Sequence, residues 1–183
     1  MGMKPPVTYA EWLACLDAFV EGTRDEELLL QMQNGSIEWT RGIAERMTQR
    51  LFETIETRLK QTSELLDREL KRSNGDETAL VKSLLTARRR LAVIKKLTEL
   101  PAFPQQVRDS LFSILQTYAK DTQKSLEDSA KADRTGQLRM LIKNNSLTVF
   151  HQMELPVVRA EMPEQKAIEW ELTKPAKRRV ILK

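Results

Sequence analysis

Four acidic residues at regular spacing form the pattern in this sequence that comes nearest to the ligand set of a metal enzyme. They are Glu53, Glu56, Glu64 and Asp67. Such pairs hold Mg²⁺ when carboxylates converge from several elements into a site shielded from water. At about 100° per residue, all four instead fall on one stripe of a single helix, with Lys60 among them. The spacing therefore predicts a solvated helix face with i,i+4 ion pairs, and neither a metal nor a cofactor.

The side chains that most often perform catalysis are scarce. The chain has one histidine, His151, and one cysteine, Cys15. A helical di-metal site of the Glu-x-x-His type needs two histidines. Glycine-rich phosphate loops, G-x-S-x-G and zinc-ligand spacings are missing from the sequence. We expect His151 to be a surface or half-buried side chain and Cys15 a core-edge residue. No residue is predicted to be catalytic, and the protein is predicted not to be an enzyme.

A run of cations without acids is the next candidate site. Residues 78–98 carry six Lys and Arg and no acid. The candidate nucleic-acid-binding residues are Arg88, Arg89, Arg90, Lys95 and Lys96, since phosphates bind such surfaces. Residues 11–38 hold seven acids against Arg24, and packing of the two regions as neighbours would neutralise both. Both interpretations are open at this point.

The strongest charge asymmetry lies in the last ten residues, 174–183, which carry five Lys and Arg and no acid. Because the whole chain has 30 basic and 26 acidic residues, the other 173 hold 25 and 26, a net charge of −1. The protein is thus a nearly neutral body with a basic, apolar-tipped tail. Such a tail suits contact with an acidic protein surface or with nucleic acid.

Apolar side chains in the tail indicate a docking function. The candidate partner-binding residues are Trp170, Leu172, Lys177, Arg178, Arg179, Val180, Ile181 and Leu182. Exposure of the apolar members of this set to water would be unfavourable. Either they dock back on the body of the protein, or they add a strand or helix to a partner.

Composition indicates a helical protein in a reducing compartment. The 183 residues fit one domain, and 31% charged and 5% aromatic residues with only six glycines favour long helices over a sheet. A single cysteine permits no intrachain disulfide, so we expect a cytoplasmic location. The apolar runs are far shorter than the roughly 20 residues that span a bilayer, and we expect no membrane association.

The pattern of caps and apolar spacings predicts an all-α fold, an elongated antiparallel bundle of three long helices at 37–72, 77–99 and 104–130 with short flanking helices. A capping box at Thr8 and Glu11 opens the first short helix. An apolar seam at spacings of three and four runs along the longest helix. Its members are Ile37, Thr40, Ala44, Met47, Leu51, Ile55, Leu59, Thr62, Leu66 and Leu70. So long a seam leaves a homodimer open.

The apolar spacing typical of long helices is lost after Asn145, and prolines become frequent. We predict a helical bundle domain at 1–145 and an irregular, partly extended, basic-ended tail at 146–183. Pro156, Pro163 and Pro175 exclude a long helix there. Between them, Ile168 to Leu172 (I-E-W-E-L) alternates apolar and acidic residues like a strand, and also fits one helical turn. The pattern does not decide between strand and helix for 146–172.

Two functions are compatible with these features. The first is a non-enzymatic adaptor or regulatory protein that binds another protein, partly through its tail. The alternative is a nucleic-acid-associated protein that uses the Arg88–Lys96 face and the basic tail. The first is favoured because the body of the chain carries a net charge of −1 and is not basic.

Overall fold

A computed structural model describes residues 4–73, 76–132 and 134–153. Helices account for 81% of these residues and none of them lies in a strand, which confirms the all-α class. In chain order the helices are α1 (Tyr9–Glu21), α2 (Asp25–Gln33), α3 (Arg41–Ser73), α4 (Glu77–Thr98), α5 (Gln105–Ser129) and α6 (Gln137–Asn144). Short 3-10 segments cover Ala130–Ala132 and Leu147–Gln152.

The capping box predicted at the start of α1 is present. The Thr8 hydroxyl accepts from the Glu11 backbone N–H, and the Glu11 carboxylate accepts in return from the N–H groups of Thr8 and Val7. These backbone hydrogen bonds lower the pKa of Glu11 to about 2, and the bond from Val7 has the largest effect. The local sequence thus fixes where the first helix begins.

The turn from α1 to α2 depends on Gly22. This residue has φ of 70°, in the left-handed region, and its N–H donates to the Phe19 carbonyl at 3.2 Å. A Cβ atom at this position would collide with the Arg58 guanidinium, which reaches up from α3. The turn therefore requires glycine both for its backbone conformation and for the space that Arg58 occupies.

Substitution of Gly22 by alanine is expected to destabilise the protein more than the same change at Gly136. Both glycines have nearly the same φ, 70° and 69°, but a Cβ at Gly136 meets nothing within 4 Å. Left-handed backbone alone costs an alanine about 1–2 kcal/mol. Overpacking against Arg58 should add about 1–3 kcal/mol at Gly22. Urea unfolding of the two variants measures the difference, and equal losses would contradict the close approach of Arg58.

The longest helix begins later than the apolar spacing predicts. We expected it from residue 37, but α3 starts at Arg41, so Ile37 and Thr40 precede the helix. Hydrogen bonds hold the preceding segment: the Trp12 indole N–H donates to the Ser36 carbonyl, and the Trp39 indole N–H donates to Ala102 between α4 and α5. These tertiary contacts override the helical spacing of the first two seam residues.

The central part of the α3 seam forms the core, as predicted. Its buried members are Met47, Leu51, Ile55, Leu59, Thr62 and Leu66. The chain's own α1, α4 and α5 contact α3 and cover this seam, so the seam gives no support to a homodimer. The three long helices contact one another, and their elongated antiparallel arrangement stays a prediction.

The long helices are amphipathic, and their outer faces are polar. On α3, the acids Glu53, Glu56, Glu64 and Asp67 are all exposed, as expected of a solvated stripe. No helix in the described residues combines the length and the apolar character needed to cross a bilayer.

The segment after α6 belongs to the core, in contrast to its predicted place in the irregular tail. Leu147–Gln152 forms a 3-10 segment that buries Leu147 and Phe150 against α4 and α5. The buried Gln123 of α5 ties it down by accepting from the Leu147 N–H at 3.0 Å. Residues 154–183, the rest of the predicted tail, lie outside the described residues, and the division into two domains stays a prediction.

Candidate protein-interaction surface

The five candidate nucleic-acid-binding residues do not share one open surface. Arg89 and Lys96 are exposed, with side-chain accessibilities of 56% and 54%. Arg88, Arg90 and Lys95 are half-buried on the flanks of α4. This distribution follows from helical geometry, because residues 88, 89 and 90 point in three directions about 100° apart.

Carboxylates of the bundle pair with three of these cations. Arg89 lies 3.3 Å from the Glu26 carboxylate, which links α4 to the acidic first turn of α2. Lys95 and Lys96 reach Glu99 just after α4, at 2.5 and 3.9 Å. Of these pairs, Arg89–Glu26 joins α4 to the acidic region 11–38, as in the neutralisation interpretation, whereas the two Glu99 pairs are local to the end of α4.

A buried ion pair joins the acidic first turn of α2 to α3. Arg58, 4% exposed, donates to the Asp25 carboxylate at 2.5 Å and lies over the Phe19 ring at 5.0 Å. Arg58 Nε and Asp25 Oδ1 have no hydrogen-bond partner among the described residues. The pair is therefore buried with incomplete hydrogen bonding, and each partner depends on the other for charge compensation.

Arg90 completes this charge cluster from the α4 side. Burial lowers the pKa of Arg90, the nearby positive charge of Arg58 lowers it further, and Asp25 opposes both effects. Asp25 thus interacts electrostatically with two guanidinium groups, that of Arg58 on α3 and that of Arg90 on α4. Arg90 is consequently a poor candidate for phosphate contact, because it is half-buried and Asp25 partly compensates its charge.

Three cations do lie together on the outer side of α4. Lys82, Arg89 and Lys96 are seven residues apart and all exposed, and we call them the cation row. Successive members are about 10 Å apart along the helix axis. Lys82, outside our predicted set, makes no ion pair with any carboxylate of the described chain.

An apolar groove lies beside the cation row, and we call it the α4–α6 groove. Its volume is about 670 Å³, and α4, α6 and the end of the 3-10 segment line it. The apolar lining residues are Val81, Leu85, Leu141 and Met153. Leu85 is 40% exposed, although its neighbour Leu84 is fully buried. An apolar side chain of α4 therefore faces solvent in this groove.

The apolar surface continues from this groove into a second cavity, with which it shares Leu141. Leu141 also lines a cavity of about 520 Å³ with Leu70, Leu80, Leu126 and Leu138. On α6 itself, Leu138 and Met140 are 36% and 61% exposed. A connected apolar area of this kind is typical of surfaces that bind protein segments.

The single histidine and the single cysteine lie in different environments. His151 is exposed and lies edge-on to Phe150. Cys15 is buried, and desolvation, helped by the charge of Glu11, raises the pKa of its thiol. Within the described residues no three His, Cys, Asp or Glu side chains cluster as a metal site would require.

The described residues do not include the candidate partner-binding residues of the tail, which are Trp170, Leu172, Lys177, Arg178, Arg179, Val180, Ile181 and Leu182.

The sequence analysis missed Leu85, whose only signal was its i,i+4 spacing from Val81 beside a basic stripe. It also missed Arg58, a cation three residues from Ile55 and four from Thr62 on the seam side of α3.

Comparisons of the chain with protein families, with curated proteins and with solved structures found no match.

Proposed function

We propose that this protein is a non-enzymatic cytoplasmic adaptor or regulatory protein that binds another protein, partly through its C-terminal tail. The observation that supports it best is the pairing of α4 cations with carboxylates of the bundle, Arg89 with Glu26 and Lys95 with Glu99. Cations that already pair with a carboxylate are less available to phosphates. Protein recognition is then the better use of the remaining surface.

The composition of the last ten residues favours a protein partner over nucleic acid. Five cations surround the apolar triplet Val180, Ile181 and Leu182. Phosphate binding has no use for three consecutive aliphatic side chains, whereas a groove on a protein with an acidic rim accommodates both features. The partner surface is thus expected to be apolar at its centre and acidic at its edge.

A truncation tests this proposal. The full chain and a version that ends at Pro163 are each immobilised and exposed to cell extract, after circular dichroism has shown equal helix content. We expect a protein that the full chain retains and the shorter chain loses, and that binds again as a purified component. Equal retention by both chains would contradict a role for the tail.

Nucleic-acid association is the second candidate, and the exposed cation row of Lys82, Arg89 and Lys96 is the observation that favours it. A helix face with cations every two turns presents repeated charge to a phosphate backbone. Glu26 and Glu99 lie beside two of the three cations and reduce the positive potential there.

Salt dependence separates the two candidates. On the protein-binding proposal, a random-sequence single-stranded oligonucleotide should bind the full chain only weakly, with a Kd no tighter than the 10⁻⁴–10⁻⁶ M typical of non-specific binding at about physiological salt. Replacing Arg89 and Lys96 together with glutamine should leave that weak binding nearly unchanged. Tight binding whose slope against salt flattens in this double variant would favour the nucleic-acid function. Fluorescence anisotropy at several salt concentrations gives both quantities.

A further inference from the structure

The described chain ends inside the α4–α6 groove. Met153, the last described residue, lines the groove together with Val81, Leu85 and Leu141. The C-terminal 30 residues, 154–183, therefore start at this surface. Any contact that they make with the groove has the high effective concentration of an intramolecular interaction.

The groove calls for an occupant that is both apolar and acidic. Its floor is aliphatic, and Lys82 and Arg89 of the cation row line one side. Glu77 is the one acid in the lining. Arg89 already pairs with Glu26, but an apolar segment without charge would leave Lys82 without an ion pair, and a basic segment would be repelled.

The first part of the tail has this composition, and the last part does not. Residues 154–173 contain five glutamates against Arg159 and Lys166, a net charge of −3. Within them, Ile168, Trp170 and Leu172 alternate with Glu169 and Glu171. The last ten residues are strongly basic, so charge complementarity favours the acidic part of the tail over its basic end as the occupant of this groove.

The connection is long enough for the contact. Fourteen residues, 154–167, separate Met153 from Ile168. They span at most about 46–50 Å when extended. The 22 residues of α4 are about 33 Å long, so Ile168 can reach any point along the groove.

We propose that the α4–α6 groove binds the acidic, apolar segment 161–172 of the same chain, with Trp170 against Leu85 and with the glutamates facing Lys82, the cation of the row that has no ion pair within the described residues. The contact goes beyond the proposed function, because it holds whether or not residues 174–183 bind a partner. It assigns Trp170 and Leu172 to the bundle and leaves the basic, apolar-tipped end of the tail for the partner.

Fluorine NMR of the full chain labelled with 5-fluorotryptophan tests this contact. The three tryptophans give separate probes, and Trp170 is assigned by its loss in Trp170→Phe. The test variant is Leu85→Asp, and the matched control is Leu30→Asp, because Leu30 on α2 is exposed to nearly the same extent, 39% against 40%. Trp12 and Trp39, which anchor the segment before α3, report whether the fold is intact.

We expect the Trp170 resonance of the wild-type chain to differ from its position in the urea-unfolded chain, independently of protein concentration. Leu85→Asp should move it to the unfolded position while Trp12 and Trp39 stay in place, and Leu30→Asp should move none of the three. A Trp170 resonance at the unfolded position in the wild type, or one that Leu85→Asp leaves unmoved, would overturn the proposal. A shift that appears only at high protein concentration would place the segment on a second copy and would also overturn it.

Discussion

Replacing Asp25 with alanine is expected to lower the free energy of unfolding by about 3–5 kcal/mol. The change leaves Arg58, which is 4% exposed, without its counter-ion in the space between Phe19 and Gly22. It also removes the charge that compensates Arg90 on the neighbouring helix. Urea unfolding followed by circular dichroism measures the loss.

A second ion pair in the same fold supplies the control. Arg50 and Asp17 connect α3 to α1, as Arg58 and Asp25 connect α3 to α2, and both pairs have a sequence separation of 33 residues. Asp17 is 58% exposed, against 17% for Asp25. Asp17→Ala is therefore expected to cost less than about 1 kcal/mol. Equal losses in the two variants would mean that burial of the Arg58 pair has no energetic consequence.

Removing both charges should repair much of the damage. A buried ion pair that is replaced by apolar residues of similar volume is often neutral or more stable. Asp25→Leu combined with Arg58→Met is therefore expected to be more stable than Asp25→Ala. If the double variant is the less stable of the two, the pair contributes through geometry that apolar packing does not replace.

Adjacent leucines on α4 are expected to differ greatly in their contribution to stability. Leu84 is fully buried and Leu85 is 40% exposed in the groove. Leu84→Ala should lower the free energy of unfolding by about 2–5 kcal/mol, because it leaves a cavity between α3 and α4. Leu85→Ala should cost less than about 1 kcal/mol, since little packing is lost at the surface.

Both variants replace leucine with alanine on the same helix, so the change in helix propensity is the same. The difference between their free energies of unfolding therefore reports the effect of burial alone. Thermal or urea unfolding of both proteins measures it. Losses that match within about 0.5 kcal/mol, the range of an ordinary surface substitution, would contradict the orientation of α4. Leu51, Leu59, Leu91 and Leu111 are also buried and should respond as Leu84 does.

The positions of the core residues could be read from the sequence because helical spacing is a local property. Leu51 and Leu59 belong to the apolar seam predicted along the longest helix, and both are buried. Leu84 and Leu91 on α4, seven residues apart, and Leu111 on α5 are buried as well. The cap at Thr8 was equally readable, since its hydrogen bonds join residues three and four apart. Apolar period and capping chemistry were enough for these features.

Features that depend on contacts between distant residues were missed. The start of α3 moved to Arg41 because Trp39 donates to Ala102, 63 residues away. Leu147–Gln152 belongs to the core because Leu147 and Phe150 pack against α4 and α5, and the Gln123 side chain accepts from the Leu147 N–H across 24 residues. A polar residue such as Gln123 gives no sign in its own sequence neighbourhood that it will be buried.

The candidate surface was only partly predictable for the same reason. The cations of α4 were recognised from composition, but their pairing with Glu26 depends on how α2 packs on α4. The α4–α6 groove needs two helices and the 3-10 segment together, and one apolar residue, Leu85, marks it in the sequence. Arg58 looked like one more surface charge on a highly charged helix, and only packing against Phe19 reveals its burial.

The central claim, recognition of a protein through the basic, apolar-tipped tail, is tested most directly by ranking two tail variants against the captured partner. The comparison is between Ile181→Asp and Lys177→Gln combined with Arg178→Gln, with affinities measured by calorimetry at low and high salt. We expect Ile181→Asp to weaken binding more than the double charge variant, because burial of an apolar side chain in a groove contributes more than screened surface charges. The opposite ranking, with the charge changes dominant and their effect falling steeply as salt rises, would contradict protein recognition by the tail and favour nucleic acid.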